Sequence, residues 1–154
     1  MPFDAVGDAV RRGGRRGGAD AALLIHEGQL TYADDGFALV VDLGAWWRDR
    51  TGLPLPLGLN AARRDLGDDG LAAVARHLRD SIRLGLENRA EALAYALRYA
   101  RGLPARTADR FVGMYVNDET LRLSDRPRAA ARRLLDEAAS AGFVPATEIA
   151  FVDP

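Results

Sequence analysis

Ala21-Ala22-Leu23-Leu24-Ile25-His26-Glu27 is an apolar run that closes on an ionisable ring and a carboxylate. The continuous run over residues 20 to 26 has the pattern of a strand covered on both faces, and Phe37-Ala38-Leu39-Val40-Val41-Asp42-Leu43 is a second such run. Phe3, Val6 and Val10 lie at helical spacing, which predicts a helix over residues 3 to 12 that ends at the glycines. A helix followed by a buried strand reads as an α/β layer. Ligands of open α/β sheets bind beyond the carboxyl ends of strands, and His26 follows Ile25 at such an end.

Beyond the second run the character changes. Gly44 to Arg50 reads as a short helix stopping at Gly52, and the prolines of Leu53-Pro54-Leu55-Pro56-Leu57 hold a stiff, extended segment. From Asp68 the periodicity is helical. Leu71, Val74, Ala75, Leu78, Ile82 and Leu86 share one face. Asn88 with Glu91 three residues on predicts a capping box that opens a second helix. Ala108, Phe111, Val112 and Tyr115 mark a third, and a fourth starts at Asp125 and closes at Gly142. An α/β first third is thus followed by a helical remainder.

A chain of 154 residues with 48% hydrophobic content is long enough for one globular domain with a substantial core. No apolar run approaches the roughly 20 residues of a membrane span, and Met1 to Asp8 lacks a basic segment followed by an apolar one, so the expected address is cytoplasmic and no membrane partner is implied. There is no cysteine, which excludes disulfides, thiolate nucleophiles and Cys-type zinc sites. With His26 and His77 as the only histidines, no metal site is expected. All 21 basic residues are arginine, which excludes the P-loop and Schiff-base lysines. Against 22 acidic residues they leave no bulk field for nucleic acid. The duplicated Arg11-Arg12-Gly13-Gly14 and Arg15-Arg16-Gly17-Gly18 has no interleaved aromatics to stack bases, and reads as a lengthened surface loop.

Imidazole, with an ordinary pKa of about 6.5, is the side chain best matched to taking a proton near neutral pH. Taken alone, His26 is either such a base or a hydrogen-bonded structural residue. Glu27 can orient or charge-stabilise the ring, or serve as a loop carboxylate, because neighbouring residues on a strand face opposite sides. Tyr32 offers a stacking face or hydroxyl to an aromatic ligand, or packs in the ordinary way. Trp46 and Trp47 read as anchors of their short helix, and His77 as a solvated surface residue. None of Ser81, Ser124 and Ser140 sits in a nucleophile elbow, and no glycine-rich dinucleotide loop is present.

The words Leu24-Ile25-His26-Glu27-Gly28, Asp42-Leu43-Gly44-Ala45-Trp46-Trp47, Thr51-Gly52-Leu53-Pro54-Leu55-Pro56-Leu57-Gly58 and Phe111-Val112-Gly113-Met114-Tyr115-Val116-Asn117 together resemble the 1,4-dihydroxy-6-naphthoate synthases of the futalosine route to menaquinone. The resemblance runs from Phe3 to about Pro145 and begins in the middle of that family's sequence. It implies a fold similar to type II periplasmic binding proteins, with two α/β lobes about a cleft. Residues 1–52 would then form part of the second lobe, 53–67 an interlobe crossing, and 68–154 a helical part packing on the first lobe. It also implies a lyase that opens cyclic de-hypoxanthine futalosine with no cofactor, His26 being the proton acceptor and Glu27 and Tyr32 the substrate-binding candidates. The family's N-terminal half, which carries most substrate contacts, is the implied partner. A solute-binding module of the same fold and an inactive remnant are the alternatives, and a remnant predicts exposed apolar surface where the other half would dock.

Overall fold

The computed structural model describes residues 5–14, 17–26, 28–99 and 104–153, which fall into two compact units, Met1–Val40 and Val41–Pro154. The first unit holds α1 (Val6–Arg12) and the four-residue α2 (Gly28–Thr31). Helix α1 stops at Gly13, whose φ of +71° puts it in the region glycine adopts without penalty, and the Gly13 N–H donates to the Val10 carbonyl. The part of the predicted 3–12 helix that rests on Phe3 lies outside the described residues.

The duplicated arginine-glycine stretch is more closely fitted than a slack loop. Arg15 and Arg16 lie outside the described residues, but the glycines around them are bonded into α1 and the following chain. The Gly14 N–H donates to Asp20 Oδ1 at 3.1 Å, the Gly18 N–H to the Gly13 carbonyl at 3.0 Å, and the Ala19 N–H to the Ala9 carbonyl at 2.9 Å. A Cβ built on Gly18 would stand 2.2 Å from the Ala9 carbonyl oxygen, so no other residue fits there without moving the backbone. None of the stretch's described residues is buried, in keeping with a surface loop, and within that loop Gly18 permits a close backbone approach.

Neither apolar run is a strand. No strand occurs among the described residues; 21–25 and 37–39 lack regular structure, and Leu23 (62% exposed) and Val40 (84%) face solvent instead of being covered on both sides. The reason is non-local: a strand exists only as one side of a ladder, and no described segment supplies the other.

The second unit is helical. Its elements are α3 (Leu43–Thr51), a 3-10 turn (Arg64–Leu66), α4 (Gly67–Glu87), α5 (Arg89–Leu97), α6 (Ala105–Tyr115), α7 (Asp118–Leu121) and α8 (Asp125–Ser140). Asp42 caps α3 by accepting the Ala45 N–H at 2.9 Å, and Gly52 ends it with φ +72°. Helix α4 packs against α5 and α7, and α5 against α6. The predicted apolar face of α4 is only half covered, since Val74 and Leu78 are exposed.

The capping box expected at Asn88 is absent. Asn88 turns its Nδ2 back to the Leu84 carbonyl at 2.9 Å, so its side chain serves the end of α4 and not the start of α5. A capping box does form at α7, where Asn117 accepts the Thr120 N–H and Thr120 Oγ1 accepts the Asn117 N–H. At the far end of the unit, Arg128 donates to the Leu123 carbonyl and to both carboxylate oxygens of Asp153, and stands over the Phe151 ring, tying the last residues to α8. Arg89 similarly ties α5 to α6 by donating to Asp109 Oδ1 at 2.9 Å and to the Asp109 carbonyl at 3.1 Å.

Among the described residues the substantial core expected from composition does not form. Ala9, Trp47, Ala108, Ala130 and Ala131 are the buried apolar residues among those described, and no large side chain is fully enclosed.

Candidate functional site

His26 stands at the turn between the first apolar run and α2. Its φ of +53° lies in the left-handed region, and among the described residues no other non-glycine residue has a positive φ. Histidine is among the side chains that tolerate this conformation best, at a cost of about 1–2 kcal/mol relative to ordinary backbone. The turn is bonded on both sides of the ring: the Gly28 N–H donates to the Ile25 carbonyl at 3.2 Å, and the Gln29 N–H to the His26 carbonyl at 3.3 Å. The imidazole is exposed. A strained, well-bonded turn at the surface is a setting in which loops carry reactive groups.

Tyr32 follows α2 immediately and is half-buried; its N–H donates to the Gly28 carbonyl at 3.1 Å, and its own carbonyl accepts the Phe37 N–H at 2.9 Å. His26 and Tyr32 therefore flank the same short helix. Glu27, the other substrate-binding candidate, lies outside the described residues.

Sequence reasoning missed Arg11, treated there only as part of a repeat. Its guanidinium donates to Asp8 Oδ1 at 3.1 Å, comes within 3.8 Å of Asp35 Oδ1 and stands 4.8 Å from the Phe37 ring centroid. It thereby joins α1 to the turn after Tyr32, which is closed by Thr31 Oγ1 donating to Asp35 Oδ2 at 3.1 Å and by Gly36 at φ +80°. The Arg11–Asp8 spacing of three on a helix was visible in the sequence; the Asp35 and Phe37 contacts, 24 and 26 residues away, were not.

In the second unit, Trp47 is buried to 3% exposure while Trp46 is half exposed beneath the Arg50 guanidinium, so one of the two expected anchors carries the packing. Trp47, Arg50, Leu134, Glu137, Ser140 and Phe143 line an open groove of about 570 Å³, across which Arg50 donates to Glu137 Oε2 at 3.2 Å. The Trp47 indole N–H has no acceptor among the described residues. His77 is exposed on α4. No group of histidines and carboxylates with metal-binding spacing occurs among the described residues, and no helix there is long and apolar enough to cross a membrane.

Comparison with known proteins bears on the whole of this arrangement. Residues 4–140 match the family described as menaquinone biosynthesis. A 1,4-dihydroxy-6-naphthoate synthase of Streptomyces coelicolor is 39% identical over 146 residues, which are 95% of this chain and 50% of that protein. One of Thermus thermophilus is 41% identical over 143 residues, 93% of this chain and 53% of that protein. A crystal structure of an Archaeoglobus fulgidus protein superposes with a TM-score of 0.84 at 45% identity, over 94% of this chain and 53% of that one. The chain thus spans about half the length of the relatives it matches.

Proposed function

Because this chain belongs to the menaquinone biosynthesis family, we propose that it is one part of a lyase that opens cyclic de-hypoxanthine futalosine to 1,4-dihydroxy-6-naphthoate, with His26 as the proton acceptor. The observation that carries the reading is the His26 turn. An exposed imidazole sits at the only left-handed non-glycine position among the described residues, inside the matched region. Strain of this kind persists where surrounding structure and function hold it.

In the proposed reaction, His26 removes a proton from the cyclic substrate and fragmentation releases the naphthoate with the sugar-derived ring fragment. The Tyr32 ring flanks the same helix and would stack on the aromatic part. Arg11 acts at one remove, by fixing the turn that follows Tyr32. General-base catalysis contributes about 10²–10⁴-fold, but positioning contributes more, and the substrate clamp of such a synthase would come from the half of the family's length this chain does not match. The complete assembly would have two lobes about a cleft, like a type II periplasmic binding protein.

The test is turnover of cyclic de-hypoxanthine futalosine by this polypeptide alone and co-expressed with the other half of a relative. Product in the mixture that disappears with His26→Asn supports the reading. Undiminished turnover by His26→Asn overturns the role of the base; no product in either preparation overturns the synthase reading in favour of a remnant or a binding module.

A further inference from the structure

Within the second unit, two stretches without helix or strand run along α8 and meet each other, and arginines fasten both. Residues 53–63 leave Gly52, whose carbonyl accepts from Arg126 in the first turn of α8 at 2.9 Å. They then follow the helix, because Pro56 to Leu59 share a cleft of about 190 Å³ with Ala131, Leu134 and Leu135. Residues 143–153 take the opposite course. Gly142, at φ +77°, turns the chain out of α8, the Phe143 N–H donates to the Ala138 carbonyl at 2.9 Å, and Asp153 meets Arg128 back in the first turn. From Arg128 to the end of α8 is about 18 Å at about 1.5 Å per residue, which residues 143–153 span with ease at up to about 3.3 Å each.

Neither stretch is anchored through its own backbone. Among the described residues, 54–62 and 144–153 make no backbone-to-backbone hydrogen bond, and Leu57 and Leu59 are more than half exposed. The two are joined where Arg64, at the end of the first stretch, donates to the Glu148 carbonyl in the middle of the second at 3.0 Å. Beyond that junction the second stretch is fastened twice. The Phe151 ring centroid lies 5.2 Å from the Arg128 guanidinium and 4.9 Å from that of Arg132, and Arg128 donates to both carboxylate oxygens of Asp153. Arg128 is itself fixed by donating to the Leu123 carbonyl at 3.0 Å, and its side chain is only 20% exposed. That sets the clasp apart from a surface pair between two mobile side chains.

We propose that residues 143–153 are a strap that latches the extended segment 53–63 onto α8, with Arg128, Asp153 and the Phe151 ring as the catch and Arg64 as the grip on the segment. The latched segment is fastened at both ends, by Arg126 at Gly52 and by the strap at Arg64. With the catch open, Arg126 and a half-exposed apolar contact are what remain. In the proposed two-lobed synthase that segment is the interlobe crossing, so the latch would govern how freely the lobes close; the latch itself does not depend on that reading.

Backbone amide relaxation of the full-length chain tests the proposal in the parent, Arg128→Gln, Asp153→Ala and Arg64→Gln. In the parent, order parameters at 57–63 and 147–153 are expected near the value of about 0.85 that marks rigid backbone. Asp153→Ala and Arg128→Gln should bring both stretches below about 0.6 while α4, α5 and α6 keep their values, and Arg64→Gln should loosen 57–63 and leave 150–153 ordered. Asp153 is 70% exposed and its removal leaves the Arg128–Leu123 bond in place, so this variant decides the matter even where Arg128→Gln disturbs the fold. A strap that loosens while 57–63 stay ordered overturns the latch. So do mobility of both stretches in the parent, order in both once Asp153 is replaced, or loosening that spreads to the helices in Asp153→Ala. Relaxation needs no turnover, so failure of the synthase reading leaves this result standing; a loosened latch with unchanged kcat and KM in the reconstituted enzyme overturns the role in lobe closure alone.

Discussion

Replacing Trp47 by phenylalanine should be nearly harmless where replacement by alanine is severe. Trp47 is 3% exposed, the largest side chain among the buried residues of the second unit, and its indole N–H has no acceptor among the described residues. Truncation to alanine removes almost all of that packing, and such changes cost about 3–5 kcal/mol. Phenylalanine gives up a smaller area, worth on the order of 1 kcal/mol at about 25 cal/mol per Å². It also removes a donor whose burial without a partner costs about 1–3 kcal/mol. The two effects oppose, so Trp47→Phe should lie within about 1 kcal/mol of the parent or exceed it in stability. Urea unfolding followed by far-ultraviolet circular dichroism measures both variants, and Trp46, the only other tryptophan, remains as a fluorescence probe. A phenylalanine variant as unstable as the alanine one would refute the reasoning, because it would show the indole N–H to be bonded in solution.

Other positions give further tests. His26→Asn should leave thermal stability unchanged, because asparagine also tolerates the left-handed region, while turnover of the reconstituted enzyme falls by about 10²-fold or more; a melting-temperature loss beside lost activity would point to a structural role. Gly18→Ala should destabilise the first unit by about 1–3 kcal/mol, read by chemical denaturation, since its Cβ has no room beside the Ala9 carbonyl. Ala130→Leu should cost a similar amount, about 1–3 kcal/mol, because Ala130 is fully buried on α8. The Asp153 carboxyl is held below the usual carboxylate range, first by its hydrogen bonds from Arg128, which outweigh the opposing effect of desolvation, and further by the charges of Arg128 and Arg122. A depressed folded-state pKa adds stability above the ordinary carboxylate range and loses it as pH falls through the lowered value. The stability gap between the parent and Asp153→Asn should therefore be present at neutral pH and close in acid; a gap that persists in strong acid would refute the assignment.

Local chemistry explains what could be read from the chain alone. The helical periodicities from Asp68 onward, the Gly52 stop of α3, and the close of α8 near Gly142 depend on residues within a turn or two of each other, and the structure has helices at those places. The position of His26 at the end of an apolar run was legible for the same reason. Its left-handed backbone was not, because nothing in Ile25-His26-Glu27 demands it without the turn into α2. Asn88 misled because two helix ends compete for one amide, and the choice of Leu84 over the start of α5 is made by how α4 and α5 meet. The Arg11 contacts with Asp35 and Phe37 join residues too far apart in sequence for any local rule. Composition and periodicity alone determined that this chain makes amphipathic helices and two apolar, strand-like runs. Whether those runs become strands was a tertiary decision, since a helix closes its hydrogen bonds within itself and a strand must find them in another segment.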